Sequence, residues 1–159
     1  MSKHNLDAID IRILSALQQC GRLSKLALAE KINLSPSPSW ARFKKLEDAG
    51  FIKSYRAEIA IDKIREATRV IVTVSLKNHL KQDFEIFENH IQNIEDVVHC
   101  ASTGGGFDYV MTLVCPSLSA FQSTMDKMVA DEIGIKRYIT YFVTREIKSS
   151  APNLSKLNA

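Results

Sequence analysis

An α+β chain of two unlike parts is predicted by three observations. Up to about residue 50, apolar residues recur at helical spacing in three short runs separated by capping and stop residues. From Thr68 onward the period drops to two in four stretches, with helical spacing returning twice between them. The formal charge of +3 is also divided: residues 1–66 carry twelve Lys/Arg against eight Asp/Glu, and residues 67–159 carry nine against ten. The basic excess therefore belongs to the first part, which favours a polyanion partner there.

Leu6, Ile9, Ile13, Leu14 and Leu17 define a first helix. Asp7 is placed to cap it, and Cys20-Gly21 ends it. Ser24 caps a second, short helix that should bury Leu26, Leu28, Ala29 and Ile32. That helix stops at Asn33, a residue that tolerates the left-handed conformation of a sharp turn. Leu34 is a hydrophobic anchor, and Ser35-Pro36 restarts a helix, because serine caps and proline is tolerated in a first turn. This third helix runs to about Asp48, with Gly50 as its stop. Three short helices with a tight turn before the last make a helix-turn-helix.

One side of the third helix carries Ser39, Trp40, Phe43 and Leu46, the other Ser37, Pro38, Ala41, Arg42, Lys44 and Lys45. A face that is small at its N-terminal end and basic further along can enter a major groove and reach phosphates. The candidate DNA-contacting residues are Ser35, Ser37, Pro38, Ser39, Ala41, Arg42, Lys44 and Lys45; the alternative is a solvated basic face on an ordinary bundle. Trp40, beside Phe43, reads as core rather than as a base-stacking residue. Residues 51–59 alternate loosely and read as a wing or a connecting strand, in which Lys53 and Arg56 either touch DNA backbone or are solvated.

In the second part, Val70, Val72, Val74 and Leu76 share one strand face, with Ile71, Thr73 and Ser75 on the other. A helix over 82–93 follows, then a strand from Val97 to Ser102 and a turn at Thr103-Gly104-Gly105-Gly106. The next strand, Asp108 to Cys115, is ended by Pro116; Leu118, Phe121, Met125 and Val129 mark a second helix, broken near Gly134. Ile135 to Ile147 is the last strand. The order β-α-β-β-α-β is ferredoxin-like, a four-stranded antiparallel sheet with both helices on one face. The other face carries apolar side chains with nothing to cover them, which predicts self-association into a two-fold dimer.

The expected divisions are 1–50 for the helix-turn-helix, 51–66 for the connecting strand, 67–150 for the βαββαβ domain and 151–159 for a tail. No apolar run reaches the roughly 18 to 20 residues that span a bilayer, and Met1 to Asp10 holds no apolar signal core, so a cytoplasmic protein is expected. Cys20, Cys100 and Cys115 form no metal-ligand spacing and read as buried free thiols. His4, His79, His90 and His99 form no evident catalytic constellation, and no phosphate-binding or dinucleotide fingerprint is present. No catalytic residue, metal or cofactor is expected, although a ferredoxin-like fold by itself leaves an enzyme open.

Three stretches together resemble the leucine-responsive regulatory protein/AsnC family: Leu6-Asp7 with Asp10, Leu34-Ser35-Pro36-Ser37-Pro38, and Lys45-Leu46-Glu47 with Gly50-Phe51-Ile52. Thr103-Gly104-Gly105-Gly106-Phe107-Asp108-Tyr109 and Thr140-Tyr141-Phe142-Val143 resemble its effector-sensing half, so the likeness runs over residues 6–148. The resemblance implies a regulator that binds double-stranded DNA, answers to a small amino acid, and forms dimers that often assemble into octamers on the nucleoid. It implies an effector site at the junction between dimers, near Gly104, Gly105, Gly106, Asp108, Tyr109, Leu118, Thr140, Phe142 and Val143. Two departures are Trp40, where the family more often has an aliphatic residue, and the run of three glycines.

The chemistry of the loop suits that implication. Consecutive glycines can offer N–H groups to a carboxylate, and Asp108 can pair with an ammonium group, which are the two ends of a zwitterion. The alternative for the loop is a hairpin turn capped by Asp108. For the whole chain, the alternatives are an architectural DNA-wrapping protein without an effector and a small amino-acid-metabolising enzyme.

Overall fold

The computed structural model describes residues 6–158; Met1–Asn5, with His4, lie outside the described residues. The chain forms two compact units, one of residues 6–59 with 148–158 and one of residues 60–147. These divisions differ from the expected 51, 67 and 151. The reason is apolar packing: Phe51, Ile52 and Tyr55 line one cleft of about 700 Å³ with Leu6, Leu14 and Leu17, and so do Leu154 and Leu157 of the tail.

The first unit holds α1 (Ala8–Gln19), α2 (Lys25–Ile32) and α3 (Pro36–Asp48), with a short C-terminal α6 (Leu154–Leu157) against α1. Asp7 caps α1 by accepting from the N–H groups of Ile9 and Asp10. Asp10 in turn accepts from the Asp7 N–H, completing a capping box. Ser24 caps α2 through the Ala27 N–H. Asn33, at φ 52°, ends α2: its own N–H donates to Glu30 O and that of Leu34 to Ala29 O, a Schellman turn built on asparagine. Gly50, at φ 76°, ends α3 in the same way, with Phe51 N–H donating to Leu46 O. The core is Ile13, Ala16, Leu28, Ile32, Phe43 and Leu46, with Trp40 packed at its margin.

Several expectations for this unit need correction. Leu26 is 64% exposed, because in an eight-residue helix Leu28, Ala29 and Ile32 already fill the buried stripe. Ser35 stands at the start of α3 but its side chain makes no capping hydrogen bond. Residues 51–59 run without helix or strand, so no wing strand forms among the described residues. Cys20 is exposed; only Cys115 is fully buried, and burial pushes its thiol up to about 11.

The second unit opens on a 3-10 turn, Ile61–Lys63, and continues as β1 (Thr68–Leu76), α4 (Lys81–Ile91), β2 (Val97–Ser102), β3 (Tyr109–Cys115), α5 (Leu118–Ala130) and β4 (Ile135–Phe142). The sheet order is β2-β3-β1-β4 and every pairing is antiparallel, the ferredoxin-like arrangement. Val70, Val72, Val74 and Leu76 join Tyr109, Met111, Leu113 and Cys115 on one face. Phe87 and Ile91 of α4 and Phe121, Met125 and Met128 of α5 pack over them. Each such side chain contributes about 1.5–3 kcal/mol relative to exposure. Val129, expected to face this core, is 50% exposed because Met128 takes the inward position. The last strand ends at Phe142 rather than Ile147, and the third begins at Tyr109, since Asp108 belongs to the preceding loop.

The opposite face of the sheet is set by register. Ile71 lies between Thr112 and Tyr141, and Thr73 between Val110 and Ile139. Ile71, Ile139 and Tyr141 are 36%, 42% and 51% exposed. This is the uncovered apolar face that the strand alternation predicts.

Candidate functional site

In the first unit the small N-terminal end of α3 stands open, with Ser35, Ser37, Pro38, Ala41, Lys44 and Lys45 all exposed. Among the predicted contacts Arg42 is half-buried, and Ser39 goes further. It is fully buried, and its hydroxyl donates to Ser35 O at 2.8 Å, so it braces the first turn and is removed from the candidate DNA surface. The wheel already placed Ser39 beside Trp40 and Phe43. Trp40 is half-buried with its ring centroid 4.7 Å from that of Phe43, as the core reading requires.

The basic side chains of this face differ in their surroundings. Lys44 Nζ is 2.5 Å from Glu47 Oε2, and Tyr55 OH donates to Glu47 Oε1 at 2.8 Å. Those two bonds hold the Glu47 carboxyl below its ordinary range, the Lys44 contact first. Lys25 Nζ reaches Ser37 Oγ at 3.5 Å, placing a cation from α2 at the start of α3. Arg42 Nη1 lies 2.6 Å from Asp7 Oδ2 and 2.9 Å from Asp10 Oδ1. On the sequence alone Asp7 reads as a helix cap and nothing more. No local signal could reveal a partner 32 or 35 residues away.

In the second unit the glycine loop is shaped by its ends. Thr103 N–H donates to Asp108 O at 2.8 Å, and Thr103 Oγ1 to Phe107 O at 2.8 Å. Gly105, at φ 146°, supplies the backbone freedom the turn needs, and all three glycines are exposed. Asp108 is tied to β1 twice: its N–H donates to Val74 O, and its Oδ2 accepts the Leu76 N–H at 2.8 Å. His79 Nε2 sits 3.0 Å from Asp108 Oδ1 and 3.2 Å from Oδ2, with the imidazole centroid 5.9 Å from that of Phe84. The carboxylate is thus oriented by two partners and its side chain is 20% exposed, leaving lone pairs for a further donor. In the sequence His79 belongs to no evident constellation, because one exposed histidine after a strand carries no periodic signal.

The remaining predicted effector residues fall elsewhere. Tyr109 is buried, with its ring centroid 4.5 Å from that of Phe87 and its hydroxyl donating to Glu88, so it belongs to the core and not to a ligand surface. Phe142 pairs with Val70, Val143 N–H donates to Arg69 O, and Leu118 follows β3, whose end Cys115 pairs with Thr68. Asp108 and its loop lie beside Val74 and Leu76, at the other end of β1. Val74 lies four strand steps beyond Val70, about 13 Å at the usual rise. Thr140, opposite Val72, is intermediate between the two. Within one chain the loop and the Leu118–Phe142–Val143 group therefore stand apart. Among the described residues no group of three or more His, Cys, Asp or Glu side chains could hold a metal ion, and no helix is long and apolar enough to cross a membrane.

Both units match known families. Residues 6–53 match a winged helix-turn-helix DNA-binding model, and residues 69–152 match the Lrp/AsnC ligand binding domain. The transcriptional regulatory protein DoeX of Halomonas elongata is 37% identical over 150 residues, covering 94% of this chain and 95% of that protein. The leucine-responsive regulatory protein of Escherichia coli is 32% identical over 146 residues, covering 92% and 89%. Among solved structures, a transcriptional regulator of Neisseria meningitidis in complex with L-Met superposes with a TM-score of 0.84 at 31% identity, covering 91% of this chain and 94% of that one. An AsnC family regulator of Agrobacterium tumefaciens gives 0.85 at 27% identity, covering 92% and 95%.

Proposed function

The chain belongs to the Lrp/AsnC family of DNA-binding transcriptional regulators, and from that premise we propose that a small amino acid controls its grip on DNA. The observation that carries this reading is the loop at Asp108: an oriented, partly exposed carboxylate next to three exposed glycines, the chemistry of a zwitterion's two ends. The methionine held by the Neisseria relative supports an amino acid as the ligand class.

The separation of the loop from Leu118, Phe142 and Val143 supports a site completed by a second copy. One chain supplies Gly104, Gly105, Gly106 and Asp108, and another supplies the apolar group for the ligand side chain. Dimers form through the open sheet face around Ile71, Ile139 and Tyr141, and pair further into an octamer. In the first unit, the DNA surface is the start of α3, with Ser35, Ser37, Pro38 and Ala41 toward the bases and Lys44 and Lys45 toward phosphates. Such a protein works in the cytoplasm, on the nucleoid.

Isothermal titration against a panel of amino acids tests the effector. Binding of one or a few is expected, and silence across the panel would leave an architectural DNA-wrapping protein. Asp108→Asn keeps an acceptor for the Leu76 N–H while removing the charge that meets the ammonium group. It is expected to weaken effector binding about tenfold to a hundredfold, the worth of a hydrogen bond to a charged group. DNA affinity without effector should stay as in the parent protein. A normal effector titration with the variant would exclude Asp108 as the ammonium partner.

A further inference from the structure

The contacts of Arg42 set it apart from the other cations of α3. Its Nη1 lies within hydrogen-bond distance of two carboxylates, Asp7 at 2.6 Å and Asp10 at 2.9 Å. Both acceptors are fixed independently of Arg42, because they are the two reciprocal halves of the capping box that starts α1. The Asp7 carboxyl is held below its ordinary range, first by the Asp10 N–H and then by Arg42. A DNA phosphate reaching for Arg42 would compete with two oriented carboxylates and be repelled by both. Arg42 also sits at a mechanical junction of α3, next to buried Phe43 on one side and exposed Ala41 on the other. A tie there to the first turn of α1 sets how far α3 is rotated about its own axis, and so where the short side chains Ser37, Pro38 and Ala41 point, while the long Lys45 side chain still reaches its phosphate.

We propose that Arg42 is a positioning residue for DNA recognition, locking α3 to the capping box of α1 through Asp7 and Asp10 and leaving the phosphate contacts to Lys45 and its neighbours. This rests on the exposed face of α3 being the DNA surface.

The test measures DNA affinity of the full chain across a salt series. Asp7→Asn combined with Asp10→Asn preserves the caps, since asparagine caps as well as aspartate, and removes both charges. Loss of positioning predicts several-fold weaker binding by this variant. A phosphate-contacting Arg42 predicts the reverse, because freeing it and removing two repelling charges strengthens binding. Arg42→Ala should weaken binding with the slope of log affinity against log salt unchanged, whereas loss of a phosphate contact lowers that slope by about 0.9. The triple variant should bind no more weakly than Arg42→Ala alone, because both changes open one lock. Stronger or unchanged binding by the folded asparagine variant overturns the proposal, and so does a slope lowered by about 0.9 in Arg42→Ala. Should Arg42→Ala fail to fold, the asparagine pair still decides the sign. Lys45→Ala separates this from the underlying reading: a slope lowered by about 0.9 supports the α3 surface, and no change in slope or affinity removes that surface itself.

Discussion

Ile71→Glu is expected to sediment as a folded monomer where the parent chain, on the proposed sheet-face interface, sediments as a dimer. Ile71 stands in the open sheet face between Thr112 and Tyr141, at 36% exposure, so a carboxylate there is tolerated by the lone chain. Buried against a second copy, each such carboxylate would face an apolar surface, unpaired and desolvated, at a cost of several kcal/mol. The loss of the dimer also unlinks the two DNA-binding heads. Linked heads bind through an intramolecular second step, so DNA affinity should fall by about a hundredfold or more. Circular dichroism should be unchanged, since the helix-covered core of Val70, Val72, Phe87 and Met125 is on the other face. A variant that remains dimeric would move the interface away from this sheet.

Ser37→Glu is expected to separate stability from function in the same unit. Ser37 is exposed in the first turn of α3, where the N–H groups of the turn and the helix dipole favour a negative charge by about 0.3–1 kcal/mol. The melting temperature should therefore hold or rise slightly. On the proposed DNA surface a carboxylate there meets phosphates and the acceptor-rich edges of the bases, and DNA affinity should fall by about a hundredfold, the scale on which specific contacts are lost. Retained affinity with a raised melting temperature would show that the start of α3 does not face DNA.

Local chemistry made much of this fold legible in the sequence. Asp7, Ser24, Asn33 and Gly50 each act over three or four residues, and each ends or starts a helix where its side chain or backbone preference predicts. The alternation of Val70, Val72, Val74 and Leu76 defined a buried face because strand period does not depend on distant partners. What the sequence hid depends on tertiary placement. Leu26 and Val129 have the right spacing for burial but lose the inward position to neighbours. Tyr109 belongs to a motif that resembles an effector loop, yet its own direction along β3 sends it into the core. The Arg42 lock and the His79–Asp108 pair join residues 35 and 29 apart, beyond the reach of any periodicity. The separation of Asp108 from Phe142 along β1 follows only from strand register.

Fluorescence anisotropy with the chain's own upstream DNA and with a scrambled duplex, at one fixed salt concentration, addresses sequence-specific recognition directly. Binding to the upstream duplex tighter by about a hundredfold or more is predicted, within the usual range of specific over non-specific affinity. Equal affinity for the two duplexes would contradict specific recognition there by α3 and leave a protein that holds DNA by its backbone alone.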